Sequence, residues 1–283
     1  MKAIRIEETI MKALMIGVTV SIIACLMFIL GTIIIKGFPA MNLAMITQSP
    51  KGGFYLGKEG GVLNAILGSI CLVTAATLLA LLVALPVVLY LNVHLRKHSA
   101  FQALVRFCFD VLWGIPSIVY GAFGFTILIF LGLGTSLLGG IITVAILIFP
   151  ILCRTMDEVF RTVPHELIEA SASLGATRTE TAFKVVVRQA FAGILTAILV
   201  ASGRGIGDAA SVLFTAGFSD SIPTSLMRPA ATLPLAIFFQ LNTPIVEVQQ
   251  RAYASAFILT VLILCISIFC RILSARFSRQ SIK

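Results

Sequence analysis

VLNAILGSICLVTAATLLALLVALPVVLYLNV, residues 62–93, runs for 32 positions without a charged side chain. A helix of that length, at about 1.5 Å per residue, exceeds the roughly 30 Å of hydrocarbon in a bilayer, so the stretch is long enough to cross one. Five further apolar runs flank it, at 11–35, 103–131, 135–153, 185–214 and 252–272. The whole chain agrees with them. Of its 283 residues 59% are hydrophobic and 12% charged, with a mean hydropathy of +1.06, whereas soluble domains carry roughly a quarter charged residues. A soluble enzyme is excluded, and the expected fold is an all-α membrane protein with six transmembrane helices.

The formal charge of +9 does not signal nucleic acid, because no cluster mixes basic with aromatic residues. The charges instead mark sides. Placing the amino terminus in the cytoplasm puts Lys2, Arg5, Lys12, Arg96, Lys97, Arg106, Arg154, Arg161, Arg178, Lys184, Arg188, Arg271, Arg276, Arg279 and Lys283 inside. Only Lys36, Lys51, Lys58, Arg228 and Arg251 fall outside. This bias fixes both termini in the cytoplasm. Ile22-Ile23-Ala24-Cys25 resembles a lipoprotein cleavage box, yet the apolar run continues to Ile35 and Glu7 and Glu8 sit where a leader is basic, so an uncleaved anchor is expected.

Several possible chemistries fall away. The six cysteines lie in or at the ends of the apolar runs without a CxxC pair, as packing residues do. His94, His98 and His165 are scattered in inner loops, so no metal or other cofactor is expected. Residues 52–59 nearly match a phosphate-binding loop, but Glu59 replaces the magnesium-binding Ser or Thr, no strand precedes it, and the segment falls outside. No serine, cysteine or zinc constellation offers catalysis, so energy must come from a separate ATPase or an ion gradient.

Two connections exceed simple turns. The outer one, 217–250, sets four prolines around a Leu233–Leu241 run too short to span, which should dip into the membrane or lie on its outer surface. The inner one, 154–184, is the most charged part of the chain and reads as helix, break, helix. Pro164 suits a first turn, Glu166 and Glu169 suit a helix amino terminus, and Gly175 separates the pieces. Leu167, Ala170, Leu174 and Phe183 would supply its apolar contacts.

The fifth run contains Arg204 and Asp208. One ionisable residue at the centre of a span costs at least roughly 2.5 kcal/mol, so two call for a partner or a use. At helical spacing Thr196, Arg204, Asp208, Ser211 and Thr215 form one polar stripe able to line a water-filled anion path. Arginine is always charged and presents a planar fork of donors to oxyanions, and the carboxylate could accept a proton-bearing phosphate but not sulfate. The same pair could instead lock two helices together, and both readings stay open. Asp110, four residues after Arg106, reads as a surface i,i+4 pair, and Trp113, Gly114 and Pro116 mark a helix break.

Glu169-Ala170-Ser171, followed after three intervening residues by Gly175, resembles the EAA loop by which permease subunits of bacterial ABC importers dock on their ATPase subunits. The family's later Ile-x-Leu-Pro is Val185-Val186-Val187-Arg188 here. Gly114-Ile115-Pro116-Ser117-Ile118-Val119-Tyr120-Gly121 and Gly203-Arg204-Gly205-Ile206-Gly207-Asp208-Ala209-Ala210 are similar to segments of phosphate-specific ABC importer permeases, many of which have Glu in place of Asp208. The resemblance implies a type I importer permease fold with an amino-terminal portion at 1–61, a permease domain at 62–276 with its EAA loop at 154–184, and a tail at 277–283. It also implies an ATPase docking surface of Glu169, Ala170, Leu174 and Gly175, an anion path through Arg204, Asp208, Ser211 and Thr215, and location in a bacterial or archaeal cytoplasmic membrane, among lipid. The implied partners are a dimer of ATPase subunits, a second permease subunit, sister or identical, and an extracytoplasmic phosphate-binding protein, with phosphate as cargo. Another oxyanion, molybdate or phosphonate, is the neighbouring alternative. An ion-coupled secondary transporter would show inverted repeats and several deep carboxylates, whereas only Asp208 lies at depth.

Overall fold

The structure, a computed structural model, describes residues 2–51, 59–95 and 99–278. The near phosphate-loop match, except Glu59, lies outside the described residues, as do Lys58, Arg96, Lys97, His98 and the end of the tail from residue 279. The elements in order are α1 (Lys2–Gly37), α2 (Leu43–Thr47), the antiparallel pair β1 (Pro50–Lys51) and β2 (Glu59–Gly60), and α3 (Leu63–Leu89) with a π-helical turn (Tyr90–His94). Then come α4 (Ala100–Gly114), α5 (Ser117–Phe130), α6 (Leu137–Arg161), α7 (His165–Ser173), α8 (Arg178–Glu180), a second π turn (Thr181–Val186), α9 (Val187–Ile206), α10 (Val212–Thr215), α11 (Leu233–Leu241) and α12 (Val246–Ser278).

Among the described residues five helices are long and apolar enough to cross a membrane, and a sixth crossing is available as the pair α4 and α5, bent by 96°. The bend answers the expected break. Pro116 lacks an N–H and forces Ile115 out of the helical region, to φ −71 and ψ 130, before Ser117 restarts a helix. The resulting pieces of 15 and 14 residues reach only about 22 Å each, less than the hydrocarbon thickness.

The run expected at 185–214 is not one helix. α9 stops at Ile206, and only the four-residue α10 follows. Gly203, Gly205 and Gly207 are weak helix formers, and Asp208 Oδ2 accepts the Ser211 N–H at 2.8 Å, offering the backbone an alternative to continued helix. The break is deep. A Cβ added to Gly205 would meet Val73, Val144 and Ile148 at 3.2–3.4 Å, residues two turns or more inside α3 and α6.

The core is built from α3, α6 and α9. Ala76, Ala80 and Ala84 repeat every fourth residue along α3, Ala197 and Ala201 do so on α9, and the fully buried Ile148, Leu152 and Met156 of α6 fill the space between. Lipid tails are as apolar as leucine, so helices in a bilayer gain by close packing, which small residues permit. α12 packs on α9 and α11, and α1 chiefly on α12.

Hydrogen bonds define the two ends of the bundle. At one, Arg178 Nη1 donates to the His94 carbonyl (2.9 Å), Gln102 Nε2 to that of Leu91 (2.9 Å), and Ser274 Oγ to that of Ala192 (3.2 Å). At the other, Arg251 Nη2 donates to Gly60 O (2.7 Å), Asn64 Nδ2 to Ser219 O (2.7 Å), and Leu137 N to Arg228 O (2.9 Å). The Leu233–Leu241 run forms α11, and the chain leading into it enters the bundle. Leu233 N donates to Ser69 Oγ at 2.8 Å, about 10 Å along α3 from its start. A side chain at Gly68 would run into the Ala231 carbonyl, so glycine is what lets this segment lie against α3.

Candidate functional site

Arg204 lies in the last turn of α9, with its Nη1 2.8 Å from Asp208 Oδ1. The guanidinium side chain is 44% exposed and the carboxylate 3%. Both carboxylate oxygens are engaged, one by Arg204 and the other by the Ser211 N–H, whereas the remaining donors of Arg204 have no partner among the described residues. The pair therefore offers a half-exposed, anchored cation at mid-depth, beside a helix break.

The expected stripe does not survive the break. Thr196 and Arg204 face outward, whereas Asp208, Ser211 and Thr215 are buried. Thr215 Oγ1 donates to the Ser211 carbonyl at 2.9 Å, and Ser211 Oγ has no partner among the described residues. Ending the helix at Ile206 rotates everything after it, so periodicity cannot be carried past that point. The break does unite the two segments whose sequences stand out. A Cβ at Gly121 would lie 2.9 Å from the carbonyl oxygens of Ala210 and Ser211, so residues 114–121 and 203–210 are in backbone contact. Tyr120 OH spans the α4–α5 bend to the Leu112 carbonyl at 2.8 Å.

The second site is α7. Pro164, extended at φ −57 and ψ 134, opens it, and Gly175 closes it at φ +81, a conformation other residues rarely adopt. Its inner side is tied down by Ile168, which packs on the core, and by Ser171 Oγ, 2.9 Å from Thr181 Oγ1. Thr177 and Glu180 form a capping box that starts the return helix. Glu169, Ala170, Leu174 and Gly175 are all exposed, Leu174 to 88%. Ala170, Leu174 and Phe183 thus do not make the expected contacts within the chain, because Ile168 takes that part and turns them to the surface.

A third cluster was not read from the sequence. Asp157, fully buried on α6, receives Arg106 Nε at 2.8 Å and Nη2 at 3.0 Å, and Asn92 Nδ2 at 2.8 Å. The expected Arg106–Asp110 pair is absent, because the buried carboxylate needs the cation more than an exposed one does. Asp110 pairs instead with Arg154 at 3.2 Å. A signal existed in the sequence. Leu152, Cys153, Met156 and Phe160 continue the buried face of α6 at helical spacing into the charged segment, and Asp157 falls on that face.

Residues 76–279 match the family described as binding-protein-dependent transport system inner membrane component. The chain is 34% identical over 247 residues to the phosphate transport system permease protein PstA of Haemophilus influenzae, covering 87% of this chain and 86% of that one. It is also 34% identical over 275 residues to the PstA of Xylella fastidiosa strain 9a5c, covering 93% of each. Among solved structures, a chain of the MetNI methionine ABC transporter in an inward-facing conformation superposes with a TM-score of 0.64 at 17% identity, covering 76% of this chain and 95% of that one. A fold shared at that identity, a family match over most of the chain and relatives named as permeases agree. The chain belongs to the binding-protein-dependent transport system inner membrane components, as a multi-pass, PstA-like permease subunit of an ABC transporter.

Proposed function

We propose that the chain forms, with a second permease subunit, the path by which an ATP-driven importer carries inorganic phosphate across the cytoplasmic membrane. The observation that carries the reading is Arg204, a guanidinium with free donors at mid-depth beside a broken helix, in a chain similar to phosphate permeases over most of its length. Non-helical backbone at that depth is tolerated where protein or a water-filled cavity covers it, and the exposed side of Arg204 is where the second permease subunit would close the path. The α7 tip would enter an ATPase subunit on the cytoplasmic side, and 217–232 would meet an extracytoplasmic phosphate-binding protein. Uptake of labelled phosphate by cells lacking this chain, then resupplied with it, tests the cargo. Phosphate uptake should fall and return, and loss of molybdate or phosphonate uptake alone would overturn the assignment.

Docking is tested at Gly175. Nothing lies within 4 Å of a Cβ built there, so a tryptophan fits in space, at a backbone strain of about 1–3 kcal/mol for a left-handed residue other than glycine. Gly175→Trp should insert at the normal level and lose transport to background while ATP hydrolysis continues. Normal transport would remove α7 as the coupling element. Sidedness is tested at Ser225, which is exposed in the 217–232 segment. Ser225→Cys should react with a membrane-impermeant thiol reagent applied from outside, and labelling only from the cytoplasm would reverse the topology.

A further inference from the structure

The backbone that follows α9 rests on α5. Gly121 and Gly124 stand three residues apart on one helical face, both buried, and both meet the 210–215 segment. A Cβ on Gly121 would lie 2.9 Å from the Ala210 and Ser211 carbonyl oxygens and 3.0 Å from Ser211 Cα, whereas ordinary contact begins near 3.4 Å. A Cβ on Gly124 would meet Thr215 Cγ2 at 3.2 Å and run into the Thr143 hydroxyl. Phe125 adds a ring contact to Phe214, with 6.3 Å between centroids. Where Gly121 lands is set by the residue before it. Tyr120, itself buried, donates its hydroxyl across the α4–α5 bend to the Leu112 carbonyl at 2.8 Å and so ties the start of α5 to the end of α4.

One of these contacts bears on Arg204. The Ala210 carbonyl and the Ser211 N–H belong to a single peptide unit, and in a trans peptide they point to opposite sides of a rigid plane. The oxygen faces Gly121, while the N–H is held by Asp208 Oδ2 at 2.8 Å, and Asp208 Oδ1 in turn holds Arg204 Nη1 at 2.8 Å. A methyl group at position 121 would push that oxygen away by about half an ångström to restore ordinary contact. A rigid peptide converts the push into a tilt of the N–H, and the carboxylate loses its anchor. We propose that Gly121 is a positioning residue for the Arg204–Asp208 pair, acting through the 210–211 peptide, with Tyr120 holding it in register. Neither residue has to touch the anion. The geometric part stands on these contacts alone, and its consequence for transport rests on the function proposed above for Arg204.

The test follows amide hydrogen exchange across residues 209–213 in the full chain, reconstituted in nanodiscs, beside uptake of labelled phosphate by cells with matched membrane abundance. Gly121→Ala should speed that exchange roughly threefold or more, as weakening one hydrogen bond does. It should lower uptake roughly tenfold, since misplacing a working group by about 1 Å can cost about a hundredfold. In an Asp208→Ala background the Ser211 N–H has already lost its acceptor, so Gly121→Ala should speed exchange no further, whereas a glycine serving packing alone would add its own effect. Tyr120→Phe keeps the ring and removes the hydroxyl. It should move both readings the same way by a smaller factor, and it carries the test if Gly121→Ala fails to insert. Gly193→Ala also adds a crowded methyl, against the Val159 side chain, and should leave exchange at 209–213 unchanged. Parent-like exchange in the Gly121 and Tyr120 variants, or equal acceleration in Gly193→Ala, overturns the proposal. Accelerated exchange with uptake at the parent rate keeps Gly121 as the positioning residue and removes Arg204 from the anion path.

Discussion

Asp157→Ala should be the most damaging single substitution in the α6 core, lowering stability by about 3–5 kcal/mol, because it leaves the Arg106 cation buried against α6 without its carboxylate. The carboxylate gathers three donors from two other elements, the α3 π turn through Asn92 and α4 through Arg106. Its loss therefore loosens the seat of α7 as well. Asp157→Asn keeps an acceptor and should cost less. Arg106→Met combined with Asp157→Ala should recover part of the loss, since most of the cost lies in the unpaired charge rather than in the missing contact. Thermal unfolding of the purified protein in detergent reads these differences, and an Asp157→Ala protein melting with the parent would show that the cluster contributes nothing.

Arg204→Lys should lower phosphate uptake at least tenfold with unchanged membrane abundance. An ammonium keeps the charge but not the fork that can hold Asp208 and an oxyanion together, and one charge-assisted bond of about 1.5–3 kcal/mol is a tenfold effect or more. Exchanging the two residues is not the decisive experiment, because an arginine at position 208 cannot accept the Ser211 N–H that Asp208 holds. Asp208→Asn separates the roles. Its amide oxygen can keep the Ser211 contact, so the variant should fold, while the charge that neutralises Arg204 is gone. If Arg204→Lys transports phosphate at the parent rate, the pair is structural and the anion contact lies elsewhere.

What the sequence discloses follows physical range. Apolar runs, the proline at 116 and the glycine at 175 act within a few residues, so the spans, the α4–α5 break and the end of α7 are legible from composition alone. The Leu233–Leu241 run was legible as too short to span, but its entry beside α3 depends on Gly68, some 165 positions earlier, and no local pattern reveals that. The same holds for Arg106, whose nearest carboxylate in sequence is Asp110 but whose partner in space is Asp157. The end of α9 was hidden for another reason. Three alternate glycines suit tight packing and a helix break equally, and only the Asp208–Ser211 contact decides for the break.

The exposure of α1 has a consequence for how the protein is made. Its chief neighbour is α12, which begins 209 residues after Gly37. At a synthesis rate of about 5–20 residues per second, α1 therefore waits roughly 10–40 s in the bilayer before its partner emerges. It is suited to that interval. The hydroxyls of Thr19, Ser21 and Thr32 each donate to the carbonyl four residues earlier, at 2.8 Å, leaving no side-chain hydroxyl among them unsatisfied in lipid. These hydroxyls of α1 thus need no neighbour, and α12, made later, is the clasp that joins it to the bundle.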